Sequence, residues 1–418
     1  MNCRRLVLAS ASIAVLTVAG ALPLAAQAPR ATAGNAAAAS TYTPPRTTWG
    51  DPDFEGNWRS VQDVEFERAV GETRAFFTDE ETRAKEADSD RRNALRLTGK
   101  LENRGFRNQA NYNSVVGYSP EKAKYSKQTS AIIDPPDGRV PLWTMKQVEY
   151  YEHREAMTLG RGDADWTIDR PPSERCLPII NLPTMGNWGL AMRGTRPAVA
   201  ASTGGKARLA NAAGFTQSET TLDGGASGGG SPGNVNGAYR FVQIPGTVVI
   251  LEEDYEARII PTDGRPSLPK AFRQWKGSSR GRWEGNTLVV VTTNIQYPGP
   301  VINNYQPSYP GTGETLTFTE RYTRTGPETM EYRYTVDDPG VYVRPYTALH
   351  EFGLDNNWKT SYNLCHEGHD DMPSALGSGR NDEITSIDNN TDGRVLRQAR
   401  LKEIRAEAAE HEEKMKKR

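Results

Sequence analysis

The stretch from residue 239 to 354 predicts a mainly β protein: an antiparallel sheet that curls or closes like a barrel, with peripheral helices and a charged C-terminal helix. Two observations carry the prediction. Short apolar stretches rich in β-branched and aromatic residues follow one another, separated by turn chemistry at Pro245-Gly246, Glu284-Gly285-Asn286 and Gly326-Pro327. Within "ETLTFTERYTRTGPETMEYRYTV" the residues alternate with the strand period. Leu316, Phe318, Glu320 and Tyr322 share one face, and Thr317, Thr319, Arg321 and Thr323 share the other. Consecutive short strands with tight turns favour a sheet that closes on itself.

The elements follow in chain order. Arg4 and Arg5, the apolar run Leu6 to Leu24 and Ala26-Gln27-Ala28 form a secretory leader pattern over residues 1–28, cut after Ala28. A membrane anchor is the alternative, and Pro23 with the alanine-rich exit favours the leader. Residues 29–45 read as a disordered spacer. "TTWGDPDFEGNWRS" supplies a turn at Gly50-Asp51-Pro52-Asp53 and then a short strand from Gly56. Thr78 and Asp79, followed by Glu80 and Glu81, cap a charged surface helix. "IIDPPDGRVPLW" and "RIIPTDGRPSLPKAFRQW" share an Ile-Ile, Pro, Asp-Gly-Arg phrase, read as one turn solution used twice or as an old duplication. Residues 201–238 are Gly- and Ser-rich, a linker or a flexible insertion beside a pocket. "VYVRPYTALHEF" is the last strand, weakened by Pro345. The expected organisation is one β-rich domain over 46–390 followed by a charged helix over 391–418.

Composition narrows the function classes. The 51 basic and 52 acidic residues leave a net charge of -1, which argues against nucleic-acid binding. After the leader no apolar run is long enough to span a bilayer, so no stable membrane span is expected. The chain is therefore expected to be periplasmic or secreted. With Cys3 in the leader, Cys176 and Cys365 remain, and in an oxidising compartment they are expected to pair. A nucleophilic Cys365 beside His366 is the alternative. No dinucleotide fingerprint, phosphate loop or Gly-x-Ser-x-Gly elbow is present, so no nucleotide cofactor is expected.

Three constellations are candidates for chemistry. Arg273, Lys276, Arg280 and Arg282 lie among Trp275 and Trp283, a set suited to an anionic aromatic or sugar-acid ligand, or simply to a well-packed sheet edge. Of five histidines, His350, His366 and His369 cluster near acidic residues. His366 as acid–base, oriented by Glu367, is the first expectation, with His350 beside them. His366 and His369 also suggest a loop site for a divalent metal, although the helical zinc spacing is absent. Tyr322, Tyr332, Tyr334, Tyr342 and Tyr346 stud the last strands, where an inward Tyr322 is the candidate acid and the rest are wall residues.

"TTWGDPDFEGNW", "IIDPPDGRVP", "RIIPTDGRP", "SRGRWEGNTLVVVTTN" and "YNLCHEG", in this order between residues 46 and 370, resemble a large, mostly uncharacterised family of secreted bacterial proteins. The Gly56-x-Trp58 strand and the Trp283-x-Gly285-Asn286-x-Leu288 hairpin look like lipocalin and related ligand-binding barrels. Two functions follow as expectations. One is an exported, cofactor-independent acid–base enzyme, a lyase, isomerase or hydrolase acting on a small carboxylated aromatic or oxidised sugar. The other is a periplasmic lipocalin-like ligand-binding protein without turnover.

Overall fold

Turn residues decide where this chain reverses. Gly246 and Gly285 take φ of 72° and 62°, the left-handed region that short hairpins need and that glycine enters without a Cβ clash. The computed structural model describes residues 42–60, 62–64, 67–69, 71–87, 124–157, 165–167, 238–252, 257–296, 315–357, 372–374, 376–377, 380 and 393–417. The leader, most of the spacer and the Gly/Ser-rich insertion up to residue 237 lie outside them.

The elements in chain order are β1 (Gly56–Ser60), β2 (Gln62–Asp63), helix α1 over 79–87, β3 (Lys124–Tyr125), β4 (Ile132–Asp134) and α2 (Met145–Met157). Then come β5 (Ala238–Ile244), β6 (Thr247–Glu252), β7 (Arg258–Pro261), β8 (Ser278–Glu284) and β9 (Thr287–Thr293). β10 (Thr317–Arg324), β11 (Thr329–Asp337), β12 (Tyr346–Leu354) and α3 (Gly393–Lys416) complete the order. Nine strands form one antiparallel sheet in the order β7-β6-β5-β1-β12-β11-β10-β9-β8, curled into a nearly closed barrel as the sequence predicts. β4 pairs with β12 beside this path, and β2 pairs with β3 in a separate two-stranded ladder. β12 therefore begins after Pro345, which has no N–H to give the ladder.

The end strands β7 and β8 approach each other without pairing. Gly281 lets them come close: a Cβ there would stand 2.8 Å from Thr262 Cγ2 and 2.9 Å from Ile260 Cγ2.

Antiparallel partners share a face, so the register fixes the interior. Tyr322 pairs with Leu288 and Tyr332, and Tyr332 pairs with His350. Along β10, β11 and β12 alternate residues are buried, with Phe318, Glu320, Tyr322 and Arg324 inside on β10. One end is closed by the opening phrase. Phe54 is fully buried, and its backbone N–H donates to Gln243 Oε1 at 2.6 Å. Gln243 Nε2 donates to the Pro52 carbonyl, and Arg324 donates to that of Asp53. Gly56 has φ 129° and its Cβ would meet Leu354 Cδ1 at 2.6 Å, so this position admits only glycine.

Both Asp-Gly-Arg phrases make one turn. Gly138 and Gly264 have φ of 68° and 81°, and in each turn the arginine N–H donates to the aspartate carboxylate two residues before it. At α1, Thr78 and Glu81 form a reciprocal capping box: each backbone N–H reaches the other's side chain. The C-terminal helix, expected only as a charged helix, also buries Leu401, Ile404 and Ala408 as one stripe. Arg405 pairs with Glu152, which ties α3 to α2.

Candidate ligand-binding site

A lone carboxylate at an inward strand position must find donors or lose its charge. Glu320 finds three. Arg258 grips it with two bonds, Nη1 to Oε1 at 3.0 Å and Nη2 to Oε2 at 2.5 Å. Tyr322 and Tyr332 donate their hydroxyls to Oε1 at 2.7 and 3.1 Å. Arg258 Nη2 also reaches Thr292 Oγ1 at 3.3 Å, and Thr292 shares a hydrogen bond with Ser279. Arg258 stands on β7 while Glu320 and Thr292 stand on β10 and β9, so this buried pair stitches the barrel where the ladder stops. Burial and the charge of Glu320 push the Tyr322 hydroxyl well above its usual range. Burial, the neighbouring Tyr322 and Glu320 do the same at Tyr332. Both remain proton donors at neutral pH.

Further along the same wall the polar atoms lack partners. His350 is 1% exposed, and neither Nδ1 nor Nε2 has a hydrogen-bond partner among the described residues. The hydroxyl of fully buried Tyr334 is likewise unpartnered among them. Their rings lie nearly parallel, with centroids 5.8 Å apart and planes 10° apart. Burial alone lowers the pKa of His350 from 6.5 to about 4, so the imidazole is neutral at pH 7. The strand partner also changes here. On that edge of β12 the β1 ladder ends at Ser60↔Phe352 and the β4 ladder covers Thr347 and Ala348, so His350 falls in the gap.

Ring contacts join the two parts. Trp283 packs edge-on against Phe54 at 5.3 Å, Phe241 against Tyr322 at 5.2 Å, and Tyr322 stacks on Tyr332 at 4.7 Å. Tyr332 then adjoins Tyr334 at 5.5 Å and His350 at 6.4 Å. The barrel thus brings together Tyr322 and His350, two of the expected catalytic residues, with Trp283 at the far end of the chain of rings.

The cationic block does not join them. Register with inward Leu288 and Val290 turns Ser279, Gly281 and Trp283 inward and Arg280 and Arg282 outward. Arg280 donates to the carbonyls of Pro266 and Ser279. Arg282 and Arg321 both bind Glu284, at 2.6 and 2.8 Å. Arg273 is exposed and Trp275 is half-buried in the loop before β8. Arg265 and Asp263 form a local ion pair within their turn. His366, Glu367, His369, Cys176 and Cys365 lie outside the described residues, and with them the acid–base pair, the metal site and the disulfide. Among the described residues no group of three His, Cys, Asp or Glu side chains is placed to hold a metal, and no helix is long and apolar enough to cross a membrane.

Sequence reasoning missed Arg258. The signal was available: Arg258 and Ile260 share a phase in "ARIIP", so an inward isoleucine brings an inward arginine, which needs a carboxylate opposite. Comparison with family models, curated proteins and solved structures finds no match for this chain.

Proposed function

We propose that this protein is an exported ligand-binding barrel that takes a small molecule against the inner wall formed by Tyr332, Tyr334 and His350. One observation carries the reading: His350 and Tyr334 are buried neighbours whose side-chain polar atoms have no partner among the described residues. A buried polar group without a partner costs about 1–3 kcal/mol, and natural sequences retain few of them. A ligand that donates to one ring nitrogen and accepts from the other offsets that cost. The likeness to lipocalin-type barrels points the same way, and the leader pattern supports export. Neutral overall charge suits a small-molecule partner better than a nucleic acid.

Binding is favoured over turnover by the described groups themselves. Glu320 is occupied by Arg258 and two tyrosines and is not free to move a proton. His350, with its pKa near 4, is a weak base at neutral pH.

The test is a thermal-shift screen of the mature protein with sugar acids, phenolic acids, aromatic amides, lipids, and divalent metals with a chelator control. A ligand at 100 times its dissociation constant adds about 2.7 kcal/mol of stability. The expected result is a shift in wild type that is lost in His350→Phe, while the unliganded variant melts no lower than wild type. A hit that binds His350→Phe equally well would sink the reading. Turnover of a hit, abolished in His366→Ala, would move the assignment to the acid–base enzyme.

A further inference from the structure

We infer that the ligand held at His350 is a neutral, planar aromatic molecule carrying one hydrogen-bond donor and one acceptor, of the aromatic amide or lactam class, rather than an anion. This rests on the binding reading above and adds the chemistry of what is bound.

Hydrogen-bonding capacity comes first. A neutral imidazole has one donor and one acceptor nitrogen, and a tyrosine hydroxyl rotates to either role. At His350 and Tyr334 all of that capacity is unused among the described residues. The complementary group offers an acceptor and a donor close together, as an amide does.

Shape comes second. The wall around His350 is a row of rings stacked on one another: Tyr334 lies 10° from the imidazole plane, Tyr332 29° from it, and Phe352 22° from Tyr332. An aromatic ligand meets such a row edge-to-face, one of the favoured aromatic geometries.

Charge decides between neutral and ionic ligands. The buried cations among the described residues are Arg59, Arg68, Arg258 and Arg324. Each is engaged: Arg59 with Asp355, Arg68 with Thr129 and the Pro136 carbonyl, Arg258 with Glu320, and Arg324 with the carbonyls of Asp53 and Pro327. No charged group contributes to the titration of His350, which burial alone sets. An anion at His350 would be buried with no counter-charge, which costs far more than burying an amide that makes its hydrogen bonds. A cation would need a carboxylate, and Glu320 is taken by Arg258. Of the arginines that suggested an anion, Arg280 and Arg282 point outward on β8 and Arg273 is exposed in the loop before it.

The experiment uses the full mature chain, labelled with ¹³C/¹⁵N-histidine at pH 7. The imidazole signals of His350 are assigned as those missing in His350→Phe. Three probes are titrated: benzamide, benzoate of the same shape but charged, and toluene. Benzamide is expected to shift the His350 signals saturably. Benzoate is expected to bind at least about ten-fold more weakly, since it leaves a buried charge unpaired. By titration calorimetry, which needs no histidine reporter, both His350→Phe and Tyr334→Phe are expected to weaken benzamide by about ten-fold, the worth of a buried hydrogen bond, while leaving toluene binding unchanged. Tyr334→Phe keeps the test decisive if His350→Phe does not fold. Benzoate binding as tightly as benzamide would overturn the neutral class and leave the binding reading standing. If no probe moves the His350 signals, ordered water alone satisfies the two side chains, and both readings fall.

Discussion

Two parts of one inner wall treat buried polarity in opposite ways. Around Glu320 the groups find partners: a two-point arginine grip, two tyrosine hydroxyls, and a threonine and serine that bond each other. Around His350, in contact with the same Tyr332, two ring nitrogens and the Tyr334 hydroxyl have none among the described residues. The first arrangement is what a structural tie needs. It joins β7 to β9 and β10, where no ladder joins β7 to β8. The second contributes nothing to the fold by hydrogen bonding and costs desolvation. Position on the wall does not separate them, since all are fully or almost fully buried. Partnering does.

The strongest way to break the comparison is at the ion pair. Glu320→Ala leaves Arg258 buried without its carboxylate and is expected to cost about 3–5 kcal/mol. Urea unfolding measures this. A loss below about 1 kcal/mol would mean that water reaches the seam and that the tie is not structural.

The next effect is a pH dependence. The folded pKa of His350 lies near 4, below its unfolded value of 6.5, so the unfolded chain binds more protons between those values. Stability is therefore full above pH 6.5 and is lost as pH falls towards 4, by about 3 kcal/mol at roughly 1.4 kcal/mol per pKa unit. His350→Phe removes this loss. The wild-type-minus-variant difference, measured by urea unfolding from pH 4 to 7, is expected to be flat above pH 6.5 and to fall below it. A flat difference throughout would place His350 in contact with water.

Two hydroxyl deletions sharpen the contrast directly. Tyr322→Phe removes a hydrogen bond to a charged carboxylate and should cost about 1.5–3 kcal/mol. Tyr334→Phe removes a hydroxyl without a partner among the described residues and should leave thermal stability unchanged or slightly raised. Equal losses in the two variants would show that Tyr334 has a partner after all.

The smallest effect belongs to the outer face. Arg282→Ala, which breaks an exposed pair with Glu284, should change stability by less than about 0.5 kcal/mol. A larger loss would make the cationic block more than a solvated edge.

The barrel was legible in the sequence because period-2 alternation and turn residues act locally. Gly246 and Gly285 mark their hairpins by their own backbone preference, and the alternation in "TLTFTERYTRT" separates inner from outer residues. The Asp-Gly-Arg turns and the Thr78–Glu81 cap are local for the same reason. The candidate site was only partly legible. Tyr322 and His350 were named by residue type, and strand phase turned both inward. The cationic block drew attention by its density of charge, yet phase alone would have sent Arg280 and Arg282 to the face opposite Trp283.

Sequence by itself determined the fold class, the hairpin positions and the faces of the strands, because each depends on residues a few positions apart. Tertiary structure alone decided which inward polar groups meet. Arg258 and Glu320 are 62 residues apart in the chain, and their contact exists only because the sheet curls until β7 lies near β8. That His350 has no hydrogen-bond partner among the described residues was decided the same way, by which groups the curled sheet brings beside β12.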